Sequence, residues 1–102
     1  MGTTLDLQNE LKELLGSDNV YFQPPSNLRM QYPCIVFNRG SANHNYANNK
    51  VYKFVPRYSV TYISYDPDPD LIKRMVEHFQ MIKYDNHYVS DNLQHDVFSL
   101  YW

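Results

Sequence analysis

The chain has 102 residues, 43% of them hydrophobic and 16% aromatic, with ten tyrosines and a formal net charge of −2. This length predicts one domain with a single core, and the slightly negative charge excludes binding to nucleic acid by electrostatics alone. The single cysteine excludes an internal disulfide. No apolar stretch approaches the roughly 18 residues of a membrane span and the first residues do not resemble a signal peptide, so we expect synthesis in the cytoplasm without a membrane partner.

The first predicted element is an amphipathic helix. Thr3 and Thr4 open it, and Gly16 ends it. One apolar stripe runs along it: Leu7, Leu11, Leu14 and Leu15. Residues 20–22 then form a short strand that Pro24 and Pro25 end.

The middle of the chain contains two further strands and a long polar segment. Residues 26–31 have room for one helical turn, and residues 34–38 form an apolar strand. Residues 39–50 are polar, rich in asparagine and without periodicity, which predicts a 12-residue loop of the length that often carries function. Residues 51–55 are predicted to form a strand arm leading out of this loop. The clearest strand, residues 57–65, alternates Tyr58, Val60 and Tyr62 with Ser59, Thr61 and Ile63.

The last third predicts a helix and a hairpin. Asp66-Pro67-Asp68-Pro69-Asp70 is a sharp break, with Asp68 as N-cap of a helix that runs from Pro69 to Gln80. Its apolar face consists of Leu71, Ile72, Met75, Val76 and Phe79. Residues 81–89 and 94–102 then form two strands joined by a turn at residues 90–93. Because termini fray unless they are tied down, we expect the end of the second strand to be buried in its own sheet or against a neighbouring molecule.

The order α-β-β-β-α-β-β predicts a single α+β domain over residues 1–102. We expect a mainly antiparallel sheet of about five strands with both amphipathic helices on one face.

Four histidines raise the question of a metal site. Around the predicted hairpin lie four candidate ligands: His87, Asp91, His95 and Asp96. Zinc or non-haem iron needs three or four converging ligands, yet no His-x-His, Cys-x-x-Cys or Glu-x-x-His spacing occurs. We therefore expect no metal and no other cofactor, with His95 and Asp96 capping or pairing within the turn. A small metal-dependent enzyme that uses His87, His95 and Asp96 remains the alternative from a different class.

Other chemistry is less favoured by the sequence. Cys34 lies in the apolar run 34–37, which predicts a buried thiol and not a nucleophile paired with His87 or His95. Aspartates in the Asp-Pro turn suit a turn and a helix cap better than acid–base catalysis. Aromatic and basic residues interleave between Tyr46 and Tyr58, as in single-strand nucleic-acid binders, but the negative net charge favours a tyrosine-faced strand edge with solubilising lysines.

Several segments, which together extend over most of the chain, resemble small structural proteins from the head-to-tail region of tailed bacteriophages. They are Tyr-Phe-Gln-Pro-Pro (21–25), Tyr-Pro-Cys-Ile-Val-Phe (32–37), Arg-Tyr-Ser-Val-Thr (57–61), His-Tyr-Val (87–89) and Asp-Asn-Leu-Gln-His-Asp-Val-Phe-Ser-Leu-Tyr (91–101). The closest likeness is to tail terminator proteins, also called tail completion or minor tail or capsid proteins.

The resemblance implies a non-enzymatic subunit of a ring, usually of six copies, located in the tail or neck of the virion. Such a ring caps the tail tube, ends its polymerisation and joins the tail to the head connector. Its partners are then other copies of the chain, the tail tube protein, and the head connector or a head-closure protein. DNA is only cargo that passes through the lumen. A head-closure protein of the same region is the nearest alternative.

Candidate contact residues for the ring or the tube lie at two places in the chain. Arg39, His44 and Tyr46 belong to the predicted polar loop, and Tyr101 and Trp102 to the last strand. A sheet edge that ended at Trp102 would expose unpaired backbone and aromatic surface. We therefore expect this edge to be covered in the ring.

Overall fold

The computed structural model describes residues 3–40, 43–47 and 50–102, and residues 43–47 and 50–55 by their backbone alone. In chain order the elements are α1 (Thr4–Leu15), β1 (Val20–Phe22), β2 (Cys34–Arg39), β3 (Asn43–Ala47), β4 (Lys50–Val55), β5 (Arg57–Ser64), α2 (Leu71–His78), β6 (Ile82–Ser90) and β7 (Leu93–Tyr101). Five strands form one sheet in the order β1-β2-β5-β7-β6, in which only β1 and β2 are parallel. The predicted α+β class and mainly antiparallel five-stranded sheet are confirmed.

Local hydrogen bonds explain where α1 begins and ends. The Thr3 hydroxyl accepts the Asp6 N–H at 3.1 Å, and the Asp6 carboxylate accepts the Thr3 N–H at 3.0 Å. This reciprocal capping box satisfies two backbone donors of the first turn. Gly16 has φ of 80°, a left-handed conformation that glycine adopts without strain, and its N–H donates to the Lys12 carbonyl. The predicted helix is confirmed at both ends.

Both helices cover the same face of the sheet, which we call the helix face. The sheet contributes side chains that alternate along β2, β5 and β7, and the helices contribute two leucines from α1 and the first and fifth residues of α2. The buried set includes Leu7, Leu11, Ile35, Phe37, Val60, Leu71, Met75, Phe98 and Leu100. On the opposite face, Cys34, Ile63 and Leu93 form a smaller cluster covered by Met30 and Tyr32 of the connection between β1 and β2.

The predicted bounds of α2 are wrong by two residues at each end. The Asp68 N–H donates to the Asp66 side chain at 2.9 Å, so this segment forms a local turn and Asp70 takes the N-cap position. Such side chain–backbone bonds compete with helix formation. Phe79 already has an extended backbone, yet its side chain is buried as expected. Val76, predicted to face the core, is exposed.

The predicted helical turn at residues 26–31 is also wrong. The Leu28 N–H donates to the Pro25 carbonyl in a single turn. The Gln31 N–H donates instead to the hydroxyl of Tyr21 at 3.1 Å. Because this donor is satisfied by a side chain, the segment does not continue as a helix.

The polar segment 39–50 contains a strand that was predicted as loop. β3 pairs antiparallel with β4, with an irregularity between Asn45 and Tyr46. The β-prone residues of β4, which include the predicted arm 51–55, explain why the asparagine-rich β3 is extended. We call β3 and β4 the ribbon. It forms a sheet of its own that follows β2 and precedes β5, and at its base the Gly40 N–H donates to the Arg57 carbonyl at 2.7 Å.

The last hairpin is tighter than predicted, and its second strand lies inside the sheet. Asp91 and Asn92, with φ of 53° and 63°, form a two-residue turn that matches strand twist. β7 pairs with β5 on one side and β6 on the other, so the expectation that the last strand is buried in its own sheet is confirmed. The expectation that it forms a sheet edge to be covered in the ring is wrong. The Trp102 indole N–H donates to the Thr3 carbonyl, and its ring packs edge-on against Phe79.

Candidate assembly surfaces

Strand β6 is a long exposed edge of the sheet. It has nine residues and pairs only with β7 in the part of the chain that the structure describes. Every β6 side chain except Ile82 is exposed, including Tyr84 (41%), Tyr88 (45%) and Val89 (55%). The other edge, β1, has three residues. A long edge with exposed apolar side chains is a template for pairing with another chain.

A bulge modifies one end of this edge. The pairing with β7 shifts between Tyr84 and Asn86, which leaves Asp85 as the extra residue. The Ser99 hydroxyl donates to the Asp85 carboxylate and accepts a hydrogen bond from the Arg57 guanidinium at 2.9 Å. The bulge is therefore anchored across three strands. Beyond it, from Asn86 to Ser90, the edge is regular and available along its outer side.

A buried carboxylate lies beside the same edge. The Tyr84 hydroxyl donates to Oδ1 of Asp96 at 2.6 Å, and Asp96 is only 2% exposed. Its second oxygen, Oδ2, is buried and accepts no hydrogen bond from the residues the structure describes. Although 41% of Tyr84 is exposed, desolvation of its hydroxyl beside Asp96 and the hydrogen bond between them raise the pKa of Tyr84 to about 12. The phenol therefore remains a donor at neutral pH. The Tyr84 ring also packs edge-on against Phe98.

The three residues of the metal-dependent alternative do not form one site. The register pairs His87 with Asp96 on the helix face and Tyr88 with His95 on the opposite face. His87 hydrogen-bonds with the Gln94 amide at 2.7 Å, whereas His95 stacks on Tyr88 at 4.6 Å. Within residues 3–40, 43–47 and 50–102, no group of three or more His, Cys, Asp or Glu side chains is placed to hold a metal ion.

Cys34 has the environment of a core residue. Its side chain is fully buried and packs with Ile63 and Leu93. This burial raises the pKa of the thiol to about 11. A thiol in this state is a poor nucleophile at neutral pH. β5 lies between Cys34 and His95, which places the two residues about 10 Å apart, two strand spacings.

The predicted contact residues lie in different surroundings. Arg39 is exposed at the end of β2, and Tyr101 is half-buried beside Arg57, at the same end of the sheet. His44 and Tyr46 are in β3, and their side chains fall outside the described residues. Trp102 is engaged within the chain by Thr3 and Phe79. The Trp102 N–H also donates to the Pro56 carbonyl at 3.1 Å, so all five residues belong to the ribbon or to the end of the sheet from which it leaves.

Comparison with known proteins provides no relative from which a site could be transferred. No family model matches the chain, and no curated protein matches it. None of the helices in the described ranges is long and apolar enough to cross a membrane. The candidate surfaces therefore rest on their own geometry.

Sequence reasoning missed the exposed residues of β6. A signal was present, because apolar or aromatic residues occur on both faces of this strand, Tyr84 and Val89 on one and Tyr88 on the other. Charged residues, Lys83 and Asp85, lie between these apolar and aromatic residues. A strand that mixes charged and apolar residues on both faces is typical of a sheet edge and not of a central strand. The hairpin alone did not indicate which of its two strands would be outermost.

Proposed function

We propose that this chain is a non-enzymatic subunit of a tailed-phage ring, the tail terminator. Six copies form a ring that caps the tail tube, ends its polymerisation and joins the tail to the head connector. The assignment to a phage lineage is supported by the resemblance of residues 21–25, 32–37, 57–61, 87–89 and 91–101 to that family. The assignment to an assembly is supported by the geometry of the edge strand.

The exposed edge of β6 carries the proposal. Nine residues of strand present a line of backbone donors and acceptors about 30 Å long. In an isolated monomer such an edge with Tyr84, Tyr88 and Val89 exposed promotes uncontrolled pairing. A neighbouring subunit that covers it turns the same groups into an interface, in which main-chain hydrogen bonds supply affinity and side chains supply specificity.

The unequal edges suit a ring. β6 is long and β1 has only three residues, so the two sides of a subunit differ and β6 can pair with a different surface of the next copy. Such head-to-tail contacts close into a ring when the rotation between copies divides a full turn. A closed ring leaves no β6 edge free to add a further subunit, which fixes the number of copies.

A pair of lysine substitutions tests the edge. Val89→Lys places a charge on β6, whereas Leu5→Lys places one at a more exposed apolar position (64%) on α1. We expect Val89→Lys to reduce the ring population in light scattering over a concentration series, and Leu5→Lys to leave it unchanged. Thermal melts of both variants control for folding. Equal assembly of the two variants would show that β6 is not the interface.

Binding to two partners, the tail tube protein and the head connector, tests where in the virion the chain is located. We expect the assembled ring to bind the tail tube protein and to stop its polymerisation. Binding to the head connector without any effect on tube growth would instead assign the chain to head closure.

A further inference from the structure

The charges of the chain are divided between two regions. Residues 19–65 contain five of the nine basic residues and no Asp or Glu at all. The remaining residues contain four basic and all eleven acidic side chains, a formal charge of −7. The net charge of −2 therefore conceals one basic and one acidic part.

The fold places the basic part at one end of the sheet. Arg39 ends β2, Lys50 and Lys53 belong to β4, and Arg57 begins β5. These four residues lie on the ribbon or at its base, and no acidic residue occurs between the first and the last of them. The molecule is 49 Å long and 26 by 24 Å across. Since β5 spans only about 25 Å, the ribbon accounts for much of the remaining length.

Five exposed aspartates lie at the other end. β5 runs from the ribbon to Ser64, and the connection to α2 follows with three of them. Two further connections lie at this same end. The turn between β6 and β7 is there because Ser64 pairs with Gln94 at the start of β7. The connection from α1 to β1 is there because the start of β1 pairs with the start of β2, which itself pairs with the end of β5. We call this the aspartate end, and its exposed members are Asp18, Asp66, Asp68, Asp70 and Asp91.

We propose that the basic ribbon of one copy binds the aspartate end of the next copy. The length of the sheet separates the two surfaces within one copy, so they meet only between copies. The contact is head-to-tail, as a ring requires, and it identifies the partner surface within the proposed assembly, on which it rests. A second copy is favoured over nucleic acid, because most of the molecule is negative and would repel phosphates, whereas the aspartate end attracts the ribbon.

Charge complementarity here selects the partner and the register more than it supplies affinity. Exposed ion pairs contribute little individually, and strand pairing by β6 provides the apolar and main-chain contacts. Like charges placed opposite one another, in contrast, strongly oppose an interface. Reversing one side should therefore weaken assembly, and reversing both sides should restore it.

The experiment compares full-length variants in light scattering and native mass spectrometry at low salt. Lys50→Glu with Lys53→Glu makes the ribbon acidic, and Asp18→Lys with Asp68→Lys and Asp70→Lys changes the formal charge of the five aspartate positions from −5 to +1. We expect each variant alone to weaken association at least about tenfold. An equimolar mixture of the two variants should assemble again, with the variants alternating, because each ribbon then meets an end of opposite charge.

A matched control separates a local effect from net charge. Lys12→Glu with Arg29→Glu makes the same change in charge outside the ribbon and the aspartate end, and should leave assembly unchanged. Thermal melts exclude unfolding, and assembly of the mixture shows independently that both variants are folded.

The possible results are distinguishable. Assembly that is insensitive to both reversals, or that is lost equally in the control, overturns the ribbon contact and leaves the proposed ring intact. Charge-dependent pairing of copies that never caps a tube supports the contact and contradicts the terminator. Absence of any association in the wild type contradicts both. If the ribbon reversal abolishes binding to a labelled oligonucleotide while assembly persists, the ribbon binds nucleic acid and the proposal is wrong.

Discussion

At the residue scale, the polar pair next to the edge strand is the most informative. Asp96 is buried with a single hydrogen bond, from Tyr84. We expect Tyr84→Phe to lower the free energy of unfolding by about 1–3 kcal/mol, because it leaves a buried carboxylate without its donor. Urea unfolding at pH 7 measures this. Asp96→Asn in the Tyr84→Phe background should recover part of the lost stability. If Tyr84→Phe leaves the free energy of unfolding unchanged, Asp96 does not depend on the hydrogen bond from Tyr84.

The buried thiol predicts a loss of stability at alkaline pH. Cys34 has a pKa of about 11 in the folded protein against a usual value of 9.0, so the folded state holds its proton to higher pH than the unfolded state does. Its contribution is complete below pH 9 and is lost as the pH rises from 9 to 11. The pKa values of Tyr32, Tyr62 and Tyr84 are also raised by burial, and these residues add to the loss above pH 10.

Comparison with Cys34→Ala isolates the thiol. We expect this variant to lose less stability between pH 9 and 11 than the wild type, in thermal melts at fixed ionic strength. Parallel curves for the two proteins would contradict the assignment. The tyrosines remain in both proteins and therefore cancel in the difference.

Residue-level features were predictable from sequence where their causes are local. Thr3 and Gly16 lie within a few positions of the backbone groups they serve, so both ends of α1 could be predicted, whereas the reciprocal bond to Asp6 was not. The pairing of Tyr84 with Asp96 depends on the register of two strands and on a bulge. Neither is encoded by short-range spacing, and the prediction that His95 and Asp96 act together in the turn is wrong because they lie on opposite faces of the sheet.

At the scale of elements, the segment after α2 anchors the helix to the sheet. The Phe79 side chain is buried and packs edge-on against Trp102, whereas Lys73 is exposed. We expect Phe79→Ala to cost about 3–5 kcal/mol through the cavity it leaves, and Lys73→Ala to be nearly neutral. Denaturant unfolding compares them. Similar costs for the two substitutions would contradict the packing of Phe79 against Trp102.

The ribbon should be dispensable for folding. β3 and β4 pair with each other and share no strand pairing with the five-stranded sheet. Replacing residues 41–55 by a short Gly-Ser turn keeps Gly40 and Arg57, whose hydrogen bond already closes the base. We expect this variant to melt like the wild type and to lose assembly. A variant that fails to fold would show that the ribbon belongs to the core unit.

The elements themselves were predicted better than their ends. Hydrophobic periodicity located α1 and β5, because one buried face repeats along each. β3 lacks that signal in its sequence, and the structure shows it paired with β4. The start of α2 was misplaced because the Asp66 side chain competes for the backbone of Asp68.

At the scale of the whole molecule, the fold class followed from element order but the strand order did not. A hairpin can join a sheet through either of its strands, and only the structure places β7 inside and β6 at the edge. The division of charge was also missed, because a net charge averages over the chain. Both features become visible when the sequence is mapped onto the sheet.

Capping of a growing tube tests the proposed function most directly. Tail tube protein is polymerised with and without the full-length chain, and tube length and end structure are measured by electron microscopy alongside the mass of the free chain. We expect the chain to form a ring, to occupy one end of the tubes and to stop their growth there. A chain that stays monomeric in every condition and leaves tube length unchanged would contradict the assignment as a tail terminator.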